Sequence, residues 1–168
     1  FMPVISTFNK GHVTTRDIQQ VMMFFPSSVD TTLAAKKGYT IEGLMYTSNF
    51  SGRQSGQMVY IMPLNAMKKT DFLQKNIPVA AVVTGKFTSY YAQTGAPPDS
   101  ASQAAPFVKE CEKENRFVVV GDGNMILDSN IQYPRQTVFA QNIADWLIQA
   151  ESLISIRSKE VPLRPLKA

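Results

Sequence analysis

Apolar positions in this chain fall into short, well-separated runs. Val21-Met-Met-Phe-Phe25 is stopped by Pro26 and predicts a strand. Ile41 to Ser48, between Gly38 and Ser51-Gly52, predicts a second. Met58-Val-Tyr-Ile-Met62, ended by Pro63, is a candidate third. Ala66 to Gln74 suits a short helix. Pro78-Val-Ala-Ala-Val-Val-Thr-Gly85 is a continuous apolar run, as expected of a strand covered on both faces. Phe117-Val-Val-Val120 repeats that signal and reads as the next central strand. From Gln136 to Gln149 the pattern changes period. Phe139, Ile143, Trp146, Leu147 and Ala150 recur at helical spacing as one apolar stripe. Gln141, Asp145 and Gln149 take the wet side.

The intervening stretches are polar. Residues 1–20 read as irregular. Residues 94–106, rich in Gly, Ala, Pro, Ser and Gln, read as a loop. Lys109 to Glu114 is a charge run suited to a solvated turn. Leu153-Ile-Ser-Ile156 predicts a final strand or extended arm, and Pro162 and Pro165 stop further regular structure. The elements together predict an α/β fold, a mixed sheet with flanking helices. The expected division is an α/β domain over residues 1–152 and an extended basic juxtamembrane tail over 153–168.

A length of 168 residues suits one domain with a proper core. The net charge of +4 comes from scattered bases, with spots at Lys36-Lys37, Lys68-Lys69 and Arg157 to Lys167. No nucleic-acid motif accompanies them, so nucleic acid is not an expected partner. A basic tail would lie comfortably beside an anionic membrane surface. No run reaches the length of a membrane helix. Phe1-Met2-Pro3 lacks a charged leader region and reads as starting inside a longer protein. The chain has a single Cys and a single His, which excludes a disulfide framework and any multi-Cys metal site.

Candidate chemistry centres on Gly121-Asp122-Gly123-Asn124, where a strand enters a turn. In open α/β sheets the crevice beyond the strand ends is the usual ligand site. Asp122 could hold a metal, a ribose or a water there. The plainer reading is turn chemistry, with glycine supplying conformational freedom and Asp capping local amides. The dinucleotide fingerprint is absent. An Asp122, Asn124, Asp128, Asn130 calcium reading fails, because Ile126, Leu127 and Tyr133 occupy template positions. Cys111 sits among Glu110, Glu112 and Glu114, a poor setting for a nucleophile, and His12 lies far off in sequence. Ser27-Ser28 has no nucleophile elbow. Trp146 and Met22, Met23, Met45, Met58, Met62 and Met67 read as core fillers.

Several segments in order resemble one family. They are Gly11-His-Val-Thr-Thr-Arg16, Phe24-Phe-Pro-Ser-Ser28, Val79 to Ser89, Phe117 to Asn124, Asn142-Ile-Ala-Asp-Trp-Leu147, Leu153 to Arg157 and Arg164-Pro-Leu166. The set resembles the soluble region of GldG-type gliding-motility and uncharacterised ABC-type transport auxiliary proteins. The resemblance implies an excised, non-catalytic, periplasm-facing region, anchored in the cytoplasmic membrane through segments absent from this chain. Its implied partners are an ABC-2 permease and its ATPase, with no cofactor and no metal. The implied fold is Rossmann-like, akin to class I glutamine amidotransferases and only the later part of that domain. The family's turn carries Ser and Asp where this chain has Gly123 and Asn124, which weakens a metal site further. The alternatives are an amidotransferase-like enzyme using Asp122, and a small-ligand or polysaccharide-binding module at the same crevice. If early strands are missing, an open sheet edge would invite a homodimer.

Overall fold

The computed structural model describes residues 2–59, 61, 63–95, 107–127, 130 and 134–157. The expected C-terminal prolines and basic tail, Tyr60, Met62, Asp128, Tyr133 and most of the 94–106 loop lie outside them. The elements are β1 (Val4–Ile5), β2 (Thr7–Phe8), β3 (Val21–Met22), α1 (Thr32–Lys36), β4 (Thr40–Tyr46), β5 (Pro78–Gly85), β6 (Asn115–Val120), α2 (Pro134–Leu147) and α3 (Glu151–Arg157). The fold is α/β. One sheet has the order β2-β4-β5-β6, and β1 pairs with β3 in a small second sheet.

Every strand pair described is antiparallel. This corrects the mixed sheet expected from the sequence. A connection long enough for a crossover need not make one. The 31 residues between β4 and β5 return to the same edge and close an antiparallel pair instead. β5 is central and runs from Pro78 to Gly85 as the apolar run predicts, with five consecutive buried residues. β6 is an edge strand, not a central one. Its residues alternate between exposed and half-buried.

The register divides the sheet into two faces. Val82 pairs with Val118 and Ala80 with Val120, and these side chains enter the main core. There they join Phe139 and Trp146 of α2, Ile154 of α3, and Ile5, Phe8, Ile18, Val21 and Met23 from the N-terminal segment. The first twenty residues, expected to be irregular, therefore supply two short strands and much of this core. Thr14 and Thr15 are fully buried. Their polar atoms are satisfied locally: the Thr15 hydroxyl donates to the Asn9 carbonyl at 2.6 Å, and Asn142 donates to the Thr14 carbonyl at 3.1 Å.

α2 places Phe139 and Trp146 inward, as its spacing predicts, but Leu147 is 38% exposed. The buried face also carries Gln136 and Asn142. The helix ends with Gln149 in the left-handed region, φ 63°. Ala150 N donates to the Asp145 carbonyl and Gln149 N to the Trp146 carbonyl, a Schellman closure made without glycine. The chain then reverses into α3. Leu153 to Ile156 is thus helical, which corrects the predicted extended arm. The reversal is fastened by Arg157, whose guanidinium donates to Asn142 Oδ1 and Asp145 Oδ2, both at 2.6 Å. Those bonds are made only when residues 151–157 coil back along α2.

Two further expectations change. Residues 66–74 form no single helix; 3-10 turns occur at Leu64–Ala66 and Lys69–Asp71. Met58, Val59 and Ile61 belong to no strand and are exposed, so Met58 is not a core filler. Among the described residues no helix is long and apolar enough to cross a membrane.

Phe139 is fully buried at the centre of the core. Phe139→Ala is expected to cost about 3–5 kcal/mol in a urea melt. A loss under about 1 kcal/mol would mean that α2 does not hold the core as described.

Candidate functional site

The strand β6 ends at Val120, and the chain turns through Gly121-Asp122-Gly123-Asn124. Asp122 is buried, and both carboxylate oxygens are engaged. Oδ1 accepts from Asn124 N at 2.8 Å and caps the 3-10 turn Gly123–Ile126. Oδ2 accepts from Phe24 N at 2.6 Å. The carboxylate therefore joins two backbone segments. Asn124 is exposed, and its carbonyl accepts from Asn130 Nδ2 at 2.7 Å. Among the described residues no three His, Cys, Asp or Glu side chains cluster as metal ligands.

The Phe24 anchor sets the path of the next residues. Phe25 is held in the left-handed region, φ 49°, although it precedes Pro26. Proline disfavours helical conformations in the residue before it, so this backbone is strained. Ser27 N then donates to the Gly121 carbonyl at 2.7 Å, and Val29 N to the Pro78 carbonyl at 2.8 Å. At Gly121 a Cβ would lie 1.9 Å from the Ser27 carbonyl oxygen. Only glycine permits this crossing.

Residues 27–30 and α1 form the wall of an open groove of about 630 Å³. Its floor is the second face of the sheet. Ile41, Val83 and Phe117 stand in one row across β4, β5 and β6, with Val119 beside them. Leu33 and Ala34 of α1 supply the opposite side. Gly121 and Gly123 line the mouth, whereas Asp122 does not. Of the four expected crevice residues, the two glycines face the groove, Asp122 builds it, and Asn124 lies outside. Phe117 and Val119 remain 42% and 38% exposed. Phe87 flanks Phe117 at 4.9 Å between ring centres and in turn meets Tyr39 at 5.0 Å.

Polar groups are confined to the rim. Asp30 accepts from Thr32 N at 2.8 Å and from its hydroxyl at 2.7 Å. These bonds, with Lys36 and Arg53 nearby, hold its carboxyl below the usual range. Arg53 reaches across to the Ser28 hydroxyl at 3.2 Å. The groove offers an apolar floor and a hydroxyl-bearing rim. At its rim the Asp30 carboxylate is engaged by Thr32 and the Ser28 hydroxyl by Arg53. Sequence reasoning missed the wall at 27–30, α1, and the floor residues Ile41, Val83 and Val119. The alternation in β6 was hidden because all its positions from Phe117 to Val120 are apolar.

His12 and Cys111 serve separate places. His12 is buried, bonded through Nδ1 to the Thr14 hydroxyl at 2.8 Å, with its ring edge on Trp146 at 5.0 Å. Burial pushes its pKa down from 6.5, Glu42 and Glu151 pull it partly back, and Arg116 lowers it further. Cys111 is half-buried, and its N–H donates to the Phe87 carbonyl.

A family model described as ABC-type uncharacterized transport system matches residues 1–150. No curated protein and no solved structure matches the chain.

Gly121→Ala is expected to destabilise the protein by about 2–3 kcal/mol, because backbone must move. Residues 27–30 should become sensitive to limited proteolysis; an unchanged melt and cleavage pattern would refute the crossing. His12 gives a second test. Its pKa is lowered in the folded state, so the folded protein prefers the neutral ring. That contribution is complete above pH 6.5 and is lost as pH falls below it toward the folded value. Compared with wild type, His12→Gln should lose less stability between pH 7 and pH 5; parallel pH profiles would contradict the buried neutral ring.

Proposed function

The chain belongs to the ABC-type uncharacterized transport system family, and on that premise we propose that it is a non-catalytic auxiliary domain that works by binding a partner through the groove beside β6. As a member of the family it is an auxiliary component of an ABC-type transport system, associated with transporter components. The finer reading is a gliding-motility-like role beside an ABC-2 permease and its ATPase. The domain then faces the periplasm and is tethered to the cytoplasmic membrane. Its sheet and flanking helices correspond, on this reading, to the later part of a class I glutamine amidotransferase-like fold.

The observation that carries the proposal is the half-open apolar face of the sheet. Phe117 and Val119 lie on an edge strand and stay partly exposed, while the opposite face of the same sheet is sealed by α2 and α3. Exposed aromatic and β-branched side chains beside a strand edge that is unpaired among the described residues suit an extended partner segment, whose backbone adds to the sheet while its side chains enter the groove. The engagement of both Asp122 oxygens by backbone amides weighs against an enzyme using that carboxylate. In isolation the same edge is expected to pair two copies.

The test is co-expression of the chain with the ABC-2 permease and ATPase of the transport system it is proposed to accompany. Phe117→Ser combined with Val119→Ser should leave the protein folded, at a modest cost in melting temperature since both side chains are partly exposed, yet reduce capture of the transporter subunits by about tenfold or more. Light scattering of the isolated variant should show a monomer. Undiminished capture by the double variant would overturn the reading.

A further inference from the structure

The connection between β4 and β5 is far longer than an antiparallel pair requires. Two to five residues suffice for a hairpin, but here residues 47–77 intervene. Its base is tied like a stem. Thr47 N donates to the Ile77 carbonyl, Asn76 N to the Ser48 carbonyl, and Ser51 and Gln74 exchange both backbone bonds at 2.9 Å. The Gly52 position, packed against the Asp71 carbonyl, adds a close backbone contact just beyond the stem. The excursion is thus tied at its base, and it meets the groove rim through Arg53, which donates to the Ser28 hydroxyl at 3.2 Å.

What it carries is unusual for a solvated loop. Phe50 is 79% exposed, Leu73 74% and Met58 71%, and Val59 and Ile61 are also exposed. None of these residues lines the groove beside β6. The excursion has four bases, Arg53, Lys68, Lys69 and Lys75, and one acid, Asp71. It therefore holds +3 of the chain's net charge of +4. All four bases are exposed, and Asp71 accepts from Lys68 N at 2.8 Å as a local cap. None of the three ion pairs among the described residues involves this segment.

From this combination we infer that the 47–77 excursion is a membrane-surface anchor for anionic lipid. Bulky apolar side chains at an interface leave water for the acyl boundary, and the neighbouring lysines meet the negative headgroups. The charge balance selects the lipid. A neutral apolar partner would not need the bases, and four against one is complementary to an acidic surface. The backbone favours a fluid phase over a shaped protein pocket, because apart from the two 3-10 turns the exposed apolar residues sit on irregular chain with no helical or strand face. The inference does not depend on the groove binding a partner.

The experiment is flotation of the 168-residue chain with phosphatidylcholine vesicles, with and without phosphatidylglycerol. Wild type should float with phosphatidylglycerol vesicles at low salt, release at high salt, and ignore pure phosphatidylcholine. Lys68→Gln with Lys69→Gln should weaken binding about 30-fold. Phe50→Ser, Ile61→Ser and Leu73→Ser together should weaken it about tenfold or more, with an unchanged melt. Leu73→Trp should be quenched by brominated lipid, a signal that the deeply placed Trp146 does not give. The inference is overturned if wild type does not float with anionic vesicles, or if the triple serine variant floats as wild type does. It is equally overturned if wild type fails to float yet captures detergent-solubilised transporter subunits through Phe50, Ile61 and Leu73, which would make the excursion a protein site. Phe117→Ser with Val119→Ser should leave flotation intact, so failure here and failure of the groove reading remain distinguishable.

Discussion

Everything around the groove depends on one buried carboxylate. Asp122 accepts from Asn124 N and Phe24 N, so a residue in the turn after β6 grips backbone 98 positions away. Hydrogen bonds to a charged acceptor are stronger than neutral ones, and Asp122 itself is buried. The grip fixes Phe24, forces Phe25 into a strained conformation, and delivers Ser27 to the carbonyl of Gly121. The glycine then permits the close crossing. The groove wall is therefore an outcome of buried acid chemistry, although the acid takes no part in lining it.

The sheet separates two kinds of surface by register alone. Neighbouring residues of β5 and β6 point in opposite directions. Val82 and Val118 meet the helices, while Val83 and Phe117 meet the groove. The helical side is closed by large residues, including fully buried Phe139, Met23 and Leu44. Among the described residues, the groove side has only the five residues of α1 and an extended segment to cover it. A short helix cannot seal a four-stranded sheet, so apolar floor stays open.

How much of this was legible in the sequence varied with the range of the forces involved. β5 was readable to the residue because burial on both faces demands an unbroken apolar run. α2 was readable from its spacing, although the stripe did not announce Gln136 or the bond from Asn142 to Thr14. β1 and β2 are two residues each, too short to show a period. Leu153-Ile-Ser-Ile156 looks like a strand by composition, but Arg157 can reach Asn142 and Asp145 only from a helix, and tertiary contact wins over propensity. The candidate site was half readable. Gly-Asp-Gly marked the place, and the turn-chemistry reading gave Asp122 its role. The wall at 27–30 had no local signal, since its position is set by carbonyls of Pro78 and Gly121 far along the chain.

The closure of α3 onto α2 has a mechanical meaning. Arg157 holds Asn142 and Asp145. Arg116, bonded to Glu151 at 3.4 Å, lies over the ring of Trp146 at 4.1 Å. Trp146 touches His12, and Asn142 holds the loop at Thr14. A pull or twist on the chain at Arg157 would thus load α2, β6 and the N-terminal loop together, through a relay of hydrogen bonds and ring contacts. The seven residues of α3 are thereby tied to the same sheet strand that floors the groove.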